Sequence, residues 1–512
     1  MNKLFIFLAL PVLLLLVSAC DEGFDELNTN EVDPVEVDPV FQLNEAIINM
    51  SFPGSLLVYD MGIVQQIITP NSGVLTGANF NQDNRNSTED MWINYYRGVI
   101  RNTRDIISRT QDDPDRSNLL QMTRILQAHA FMLVTDAYGD IPYFEGGRGF
   151  TNQITFPVYD AQEVVYQDIL QELSQASGAL SASGRIETAD VLYGGDIDLW
   201  QKYANSLLLR AGMRLTKVDQ GTAAQIAQQA FQGGVITSNA ENAFIRHDAN
   251  FVNGPGRTLN ATEANNYYLA GPFVQYLQDT DDPRLEAIAV TYVGAASGPD
   301  QVLGADGNGV FDADVHIGMP MGNNDETARQ AAEELGLTSF YEFAQADRER
   351  VAKQTSPMYL VTAAQTQLLL AEAASRGWIS GSAEEFYQAG IRAHMEKMAF
   401  YDERSAIPED QIAGYLANNP LTDATALEQI NTQYWVASFF NGPEAFANFR
   451  RSGFPDLDPN PFPGQDLTNE EFIRRFTYPS DEIIVNPENV NAAISRMGPD
   501  ILDTRVWWDI PQ

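Results

Sequence analysis

Cysteine is all but absent from this chain of 512 residues: Cys20 is the only one. A disulfide framework is thereby excluded, and past residue 20 so are a thiolate nucleophile and a cysteine-ligated zinc. Histidine is nearly as scarce. His129, His247, His316 and His394 form no His-Glu-x-x-His and no pair at metal-ligand spacing. Basic residues are few: 31 Lys and Arg face 69 Asp and Glu, a net charge of −38. Nucleic acid needs a basic face to displace its counterions, and anionic lipid needs the same, so both are disfavoured as partners. The surplus of acid fits a solvated exterior. No Gly-x-Ser-x-Gly elbow occurs. Gly304 to Gly309 is rich in glycine but neither follows a strand nor opens a helix, which sets a nucleotide loop aside. Two carboxylates could serve a surface glycosidase, but among 69 acids no pair stands out.

Long apolar runs are missing too, with one exception at the start. Met1-Asn2-Lys3 is followed by Leu4 to Leu16, thirteen residues broken only by Pro11. That is too short to cross about 30 Å of hydrocarbon as a helix. A positive start, a short apolar stretch and the small residues Val17-Ser18-Ala19 make a secretory signal peptide over 1–19. With Cys20 behind them the four residues look like a lipobox, in which Cys20 becomes the diacylated first residue of a bacterial lipoprotein. A plain secretory signal with an incidental cysteine is the alternative. Several acyl chains, each CH₂ contributing about 0.8 kcal/mol, would hold the protein on a membrane through its N-terminal lipid alone. Asp21 to Glu26 is acidic, resembling the signal that sends some Gram-negative lipoproteins to the outer face of the outer membrane. Residues 20–40, with Asp33-Pro34 and Asp38-Pro39, read as an extended tether.

From Phe41 the spacing of apolar residues predicts helices, most clearly over Thr88–Ser108, Asn118–Tyr138, Asp160–Leu180, Asp198–Lys217 and Ala383–Tyr401. Further helices are expected at Phe41–Met50, Met61–Ile68, Thr222–Phe231, Glu263–Leu277, Pro357–Ser375, Pro408–Leu416 and Ala424–Phe440. Two stretches read as loop-rich insertions, about 240–325 and 441–512, with short strands at Thr291–Gly294 and Val315–Gly318. Small and large residues alternate through Leu368–Trp378 and on to Ile391 at helix–turn–helix spacing. No strict 34-residue period runs along the chain. The class expected is mainly all-α, a tetratricopeptide-like bundle of paired helices with long loops and few strands, as one domain over 41–512. Asp306, Asn308, Asp312 and Asp314 alternate oxygen side chains as a Ca²⁺ loop does, yet lack the full spacing and terminal glutamate of an EF-hand. A solvated Asp-Gly turn is the preferred reading, and no cofactor is expected.

Several motifs recur in an order that resembles a known family. Phe24 to Asn28 follows the lipobox. Trp92-Ile-Asn-Tyr95-Tyr96, the Tyr138 to Tyr143 turn, Trp200 to Arg214 and Asp281-Asp-Pro-Arg284 come next. Leu369 to Ala373, Arg376-Gly-Trp378, Gln433-Tyr-Trp435, Arg450 to Pro455, Arg474 to Pro479 and Trp507-Trp508 complete the series. Over nearly the whole chain it resembles the SusD/RagB-like outer-membrane nutrient-binding lipoproteins. Gln365, where a glutamate is expected, and Val17, where leucine is commoner, depart from the pattern. The resemblance implies a non-enzymatic surface protein. It would bind an oligosaccharide or a peptide and pass it to a SusC-like TonB-dependent outer-membrane transporter. Most motif residues, Tyr95, Trp200 and Leu369 among them, sit at core spacings. Arg450, Arg451, Arg474 and Arg475 suit bidentate pairing with acidic neighbours.

A sugar polymer presents apolar C–H faces and many hydroxyls, so its site needs exposed rings beside amides and carboxylates. Two loop regions offer them: Asn79, Phe80 and Asn81 leading to Trp92, and the insertion carrying Tyr267, Tyr268, Tyr292 and Phe311. The resembled fold implies that these meet on one face. Phe80 and Tyr292, outside strong helical patterns, are the rings most expected to be exposed, whereas Trp92 and Tyr267 could equally pack on neighbouring helices.

Overall fold

The computed structural model describes residues 37–57, 59–70, 77–260, 267–304 and 306–511. The readings of Cys20, the signal segment and most of the tether lie outside the described residues.

The Asp-Pro pair assigned to the tether in fact starts a helix, α1 (Pro39–Ile48). Asp38 accepts a hydrogen bond from the Val40 amide and Pro39 takes the first turn, where its missing N–H costs nothing. Next comes a long rod: α2 (Arg85–Asn94), a π-turn (Tyr95–Ile100) and α3 (Arg101–Thr110). Each of α4 (Ser117–Tyr138), α5 (Gln162–Ala179), α6 (Ile197–Arg214) and α7 (Gln220–Gly233) packs on the helix before it. After α8 (Gly271–Asp279) and α9 (Asp325–Glu334), pairing resumes with α10 (Ala363–Ser375) and α11 (Ala383–Tyr401). The chain then adds α12 (Glu409–Asn418), α13 (Ala426–Ala437), α14 (Gly442–Ser452), α15 (Ser480–Val485) and α16 (Pro487–Met497). The helices α10 and α11 meet closely because Gly390 faces α10, where a Cβ would stand 2.7 Å from Leu368 Cγ. The result is a tetratricopeptide-like stack of paired helices. No helix among the described residues is long and apolar enough to cross a membrane.

Seven short strands occur among the described residues. β1 (Ile67–Ile68) pairs antiparallel with β3 (Tyr268–Leu269), and β2 (Ala243–Ile245) with β7 (Met358–Val361). β4 (Ala289–Tyr292) lies between β5 (Gly309–Val310) and β6 (Gln345–Ala346). Three of the expected helices are cut by these strands. Residues 61–68 leave the helix at Gln65, whose φ is +53°, and enter β1. Within 357–375, Met358–Val361 is β7, and the helix waits for Thr362, whose side chain forms a capping box with Gln365. In the third, the described part of 263–277 begins as β3. Val315–Gly318 is not a strand; the partner of β4 there is β5. The region past Gly442 is less irregular than its composition suggests. Within the stretch read as a loop-rich insertion, Pro443 sits in the first turn of α14, Asn441 caps it, and Ala445, Phe446 and Phe449 bury its face.

One hydrophobic core runs from Val40 to Trp508, with two small satellites around Tyr268 and Tyr292. Buried ion pairs cross it. Arg210 and Arg214 of α6 meet Glu444 at 3.3 and 2.6 Å, and Arg214 also meets Asp136 at 3.2 Å. Glu372 takes Arg451 at 2.6 Å and Arg376 at 2.8 Å. Arg475 pairs with Asp500 and Arg474 with Asp509, as expected of these arginines, whereas Arg450 meets no carboxylate among the described residues and donates to the carbonyls of Phe446 and Arg474. Gln365, the departure from the family pattern, accepts from Arg210 and donates to Ser438, two roles an amide fills at once. At the end of α4 the chain must turn at Gly139, whose φ is +83° and whose Cβ would run into Met497 of α16.

Candidate functional site

Two of the expected loop regions do meet. Asn79 donates to the Asn323 carbonyl at 3.2 Å, and Asn460 donates to the carbonyls of Ala78 and Asn79. Asn81 donates to Gln465 at 3.1 Å. Their rings, however, point inward, which corrects the expectation of exposed platforms. Phe80 is 1% exposed and packs on Phe462, with ring centroids 4.4 Å apart. Tyr292 is fully buried in β4, its hydroxyl accepting from Arg348 at 3.0 Å. Tyr267 joins the main core, and Tyr268 packs against Phe340 and Phe343. Lying outside a helical pattern did not mean lying outside a core: short strands and loop-on-loop packing bury rings as well as helices do. Phe311 is the exception at 40% exposed, with the Arg350 guanidinium 4.3 Å from its ring centre. In the loop weighed for Ca²⁺, Asn308 accepts from the Val302 amide and Asp312 from the Asp314 amide. Among the described residues no three acidic, His or Cys side chains gather as a metal cluster.

Of the expected residues Trp92, itself only 5% exposed, lies beneath a concave site. A cleft of about 480 Å³ opens between the rod, the 142–157 loop and the start of α15. Its aromatic floor is rigid. Trp92 stacks on Tyr159 at 5.9 Å and meets Tyr96 at 4.8 Å and Tyr138 at 5.1 Å. Each neighbouring hydroxyl is committed: Tyr96 donates to Pro142 O at 2.7 Å, Tyr159 to Glu482 at 2.8 Å, and Tyr138 to Thr88 O. Burial first, and then the Glu482 charge, hold the Tyr96 and Tyr159 phenols far above their ordinary range, so both remain donors.

The rim is built differently. Phe150, 82% exposed, follows Gly146 to Gly149 in a loop that the scaffold pins in place. Asp160 accepts from the Tyr143 and Phe144 amides, Glu145 from Val158, and Arg104 donates to the Tyr143 and Gly146 carbonyls. From the α15 side Asn486 donates to Pro157 O. The π-turn contributes Tyr96 and Arg97, and Arg101 follows; such turns recur at functional sites. Glu89, Asp481 and Glu482 supply acceptors. A ring-floored cleft with a free phenylalanine at its lip and charged groups around it can stack a sugar face and take its hydroxyls. Sequence reasoning missed Tyr96, Arg97, Arg101 and Phe150. The signal for Phe150 was an aromatic directly after a glycine-rich stretch; it falls in a single helical turn, Gly149–Asn152, that buries none of its residues.

Comparison with known proteins agrees with the architecture. Residues 31–479 match a SusD-like family model described as starch-binding, associating with outer membrane. A solved chitin-binding protein is 30% identical, with a TM-score of 0.81 over 93% of this chain and all of its own. A Bacteroidetes SusD-like protein is 26% identical, with a TM-score of 0.80 over the same shares. A chitin-binding SusD homologue from Flavobacterium johnsoniae, 24% identical, shares the fold at a TM-score of 0.75 over 93% of this chain and 99% of its own. No curated protein matches the chain. On the extent of the family match and the helical architecture, this chain belongs to the SusD-like family.

Proposed function

We propose that the protein captures an oligomeric glycan at the cell surface and passes it to a SusC-like TonB-dependent transporter, held to the outer membrane by lipid on Cys20. The observation that carries the binding half is the cleft over Trp92 and Tyr96, with the exposed Phe150 at its lip, in a family described by starch binding. The chitin-binding relative supports a polysaccharide over the peptide or glycopeptide alternative. The role is binding, not turnover, in keeping with relatives described by what they bind.

Purified protein is to be assayed on immobilised and soluble glycans, chitin and starch first. Retention without release of reducing ends is expected. Released ends would turn the reading into a surface glycosidase, and retention of peptides with no glycan retained would favour the peptide alternative. The transporter half is checked by mild-detergent affinity purification from native membranes, where recovery of the lipoprotein alone counts against it. Replacing Cys20 with alanine should abolish acylation and release the protein from the membrane.

A further inference from the structure

We propose that Arg97 and Arg101, which line this cleft, with Arg104 and Arg148 at its margin, make it a receptor for an anionic polysaccharide, one bearing carboxylates or sulfate esters; this rests on the glycan-binding reading above. None of these four pairs with a carboxylate among the described residues, while Arg109 on the same helix pairs with Asp105 and Arg124 with Glu172. Arg97 and Arg101 are exposed, four apart on the rod, and line the cleft beside Tyr96. Arg148 stands on the loop whose Gly147 and Gly149 line the cleft, its Nε buried without a hydrogen-bond partner. Arg104 spends its donors on the Tyr143 and Gly146 carbonyls and lies 5.2 Å from the Phe131 ring centre. Burial first, and then the neighbouring Arg148, pull its pKa down to about 10.

An external anion supplies the missing counter-charge. The guanidinium fork matches the paired oxygens of a carboxylate or sulfate. The wider acidic surface does not forbid this, because charges beyond about 8 Å are screened at physiological salt. Glu89, Asp481 and Glu482 also line the cleft, and they accept hydroxyls from the same polymer; Glu482 already accepts one from Tyr159. A pyranose stacked on Phe150 leaves its acid group free to reach the arginines.

Calorimetric titration of the mature chain with oligogalacturonate, a sulfated galactan oligomer and a chito-oligosaccharide of equal length tests this at low and high salt. At least one anionic oligomer should bind tenfold or more tighter than the neutral one and lose that advantage at high salt. The two anionic arms tell carboxylate from sulfate. A double variant, Arg97→Gln with Arg101→Gln, should lose tenfold or more for the anionic ligand and less than twofold for the neutral one. If the neutral oligomer binds as well as both anions and the double variant matches the parent, the proposal fails while glycan binding stands. If no oligomer binds, both readings fall. Binding of polyglutamate without any anionic glycan would assign the row to a protein partner and overturn the proposal.

Discussion

Arg214 and Arg451 lie fully buried in the helical core, each held within 3.2 Å of a carboxylate, whereas Arg97 and Arg101 at the cleft have no acid to hold. The core cations have given up water and are compensated from within. The cleft cations keep their water. The rings divide the same way: Phe80 and Tyr292 are sealed, while Phe150 projects. The contrast separates residues that specify the fold from residues free to bind.

The largest effect is expected from breaking a core pair. Glu372→Ala strands Arg451 and Arg376 and should cost about 3–5 kcal/mol in a urea or thermal unfolding measurement. Arg97→Ala should change stability by no more than about 0.5 kcal/mol. Equal effects from the two variants would erase the distinction.

Acid should act on the same pair. Burial alone would raise the Glu372 pKa, but Arg451 and then Arg376 outweigh it and hold the carboxyl down at about 2. A depressed carboxylate stabilises fully above its unfolded value, about 4.3, and the contribution is lost as the pH falls from there through about 2. Wild type should therefore lose stability over that window more steeply than Glu372→Gln, as read by melting temperature against pH.

Lys397 of α11 sharpens the comparison, because it is a buried cation that pairs with no acid among the described residues. Its amine lies 4.7 Å from the Tyr359 ring centre and 5.7 Å from that of Tyr401. Burial, and then Arg284, push its pKa down to about 7. The unfolded lysine binds a proton up to about pH 10.4, so the penalty of burying it is complete below about 7 and fades as the pH rises through that interval. Lys397→Met should raise the melting temperature most at pH 6 and least near pH 10. A gain independent of pH would mean that packing, not charge, is the cause.

The smallest change in stability should come from Phe150→Ala, within about 0.5 kcal/mol, since its ring packs on little. Its effect on glycan affinity should nonetheless be about 1–3 kcal/mol, the range of an aromatic anchor. Unchanged affinity would move the site away from this cleft.

Most of the helical frame was legible because helix patterns are local. The bounds of α11 follow from Ser382 capping Glu385 and from apolar residues at every third or fourth place. Trp92 was legible as a ring in a motif, and Arg451 as a guanidinium needing an acid. The identity of that acid, Glu372, was not, because the two are 79 residues apart. Phe80 was misjudged because its burial comes from Phe462, far along the chain.

By itself the sequence determined the helical class, the acidic exterior, the absence of thiol chemistry and the family, since each depends on composition, local period or the order of motifs. Tertiary structure alone decided which rings face water and which arginines lack an acid. Exposure and pairing depend on which distant loop comes to lie over a residue, and in this chain the 142–157 and 460–466 loops make that choice, leaving Phe150 open and Phe80 closed.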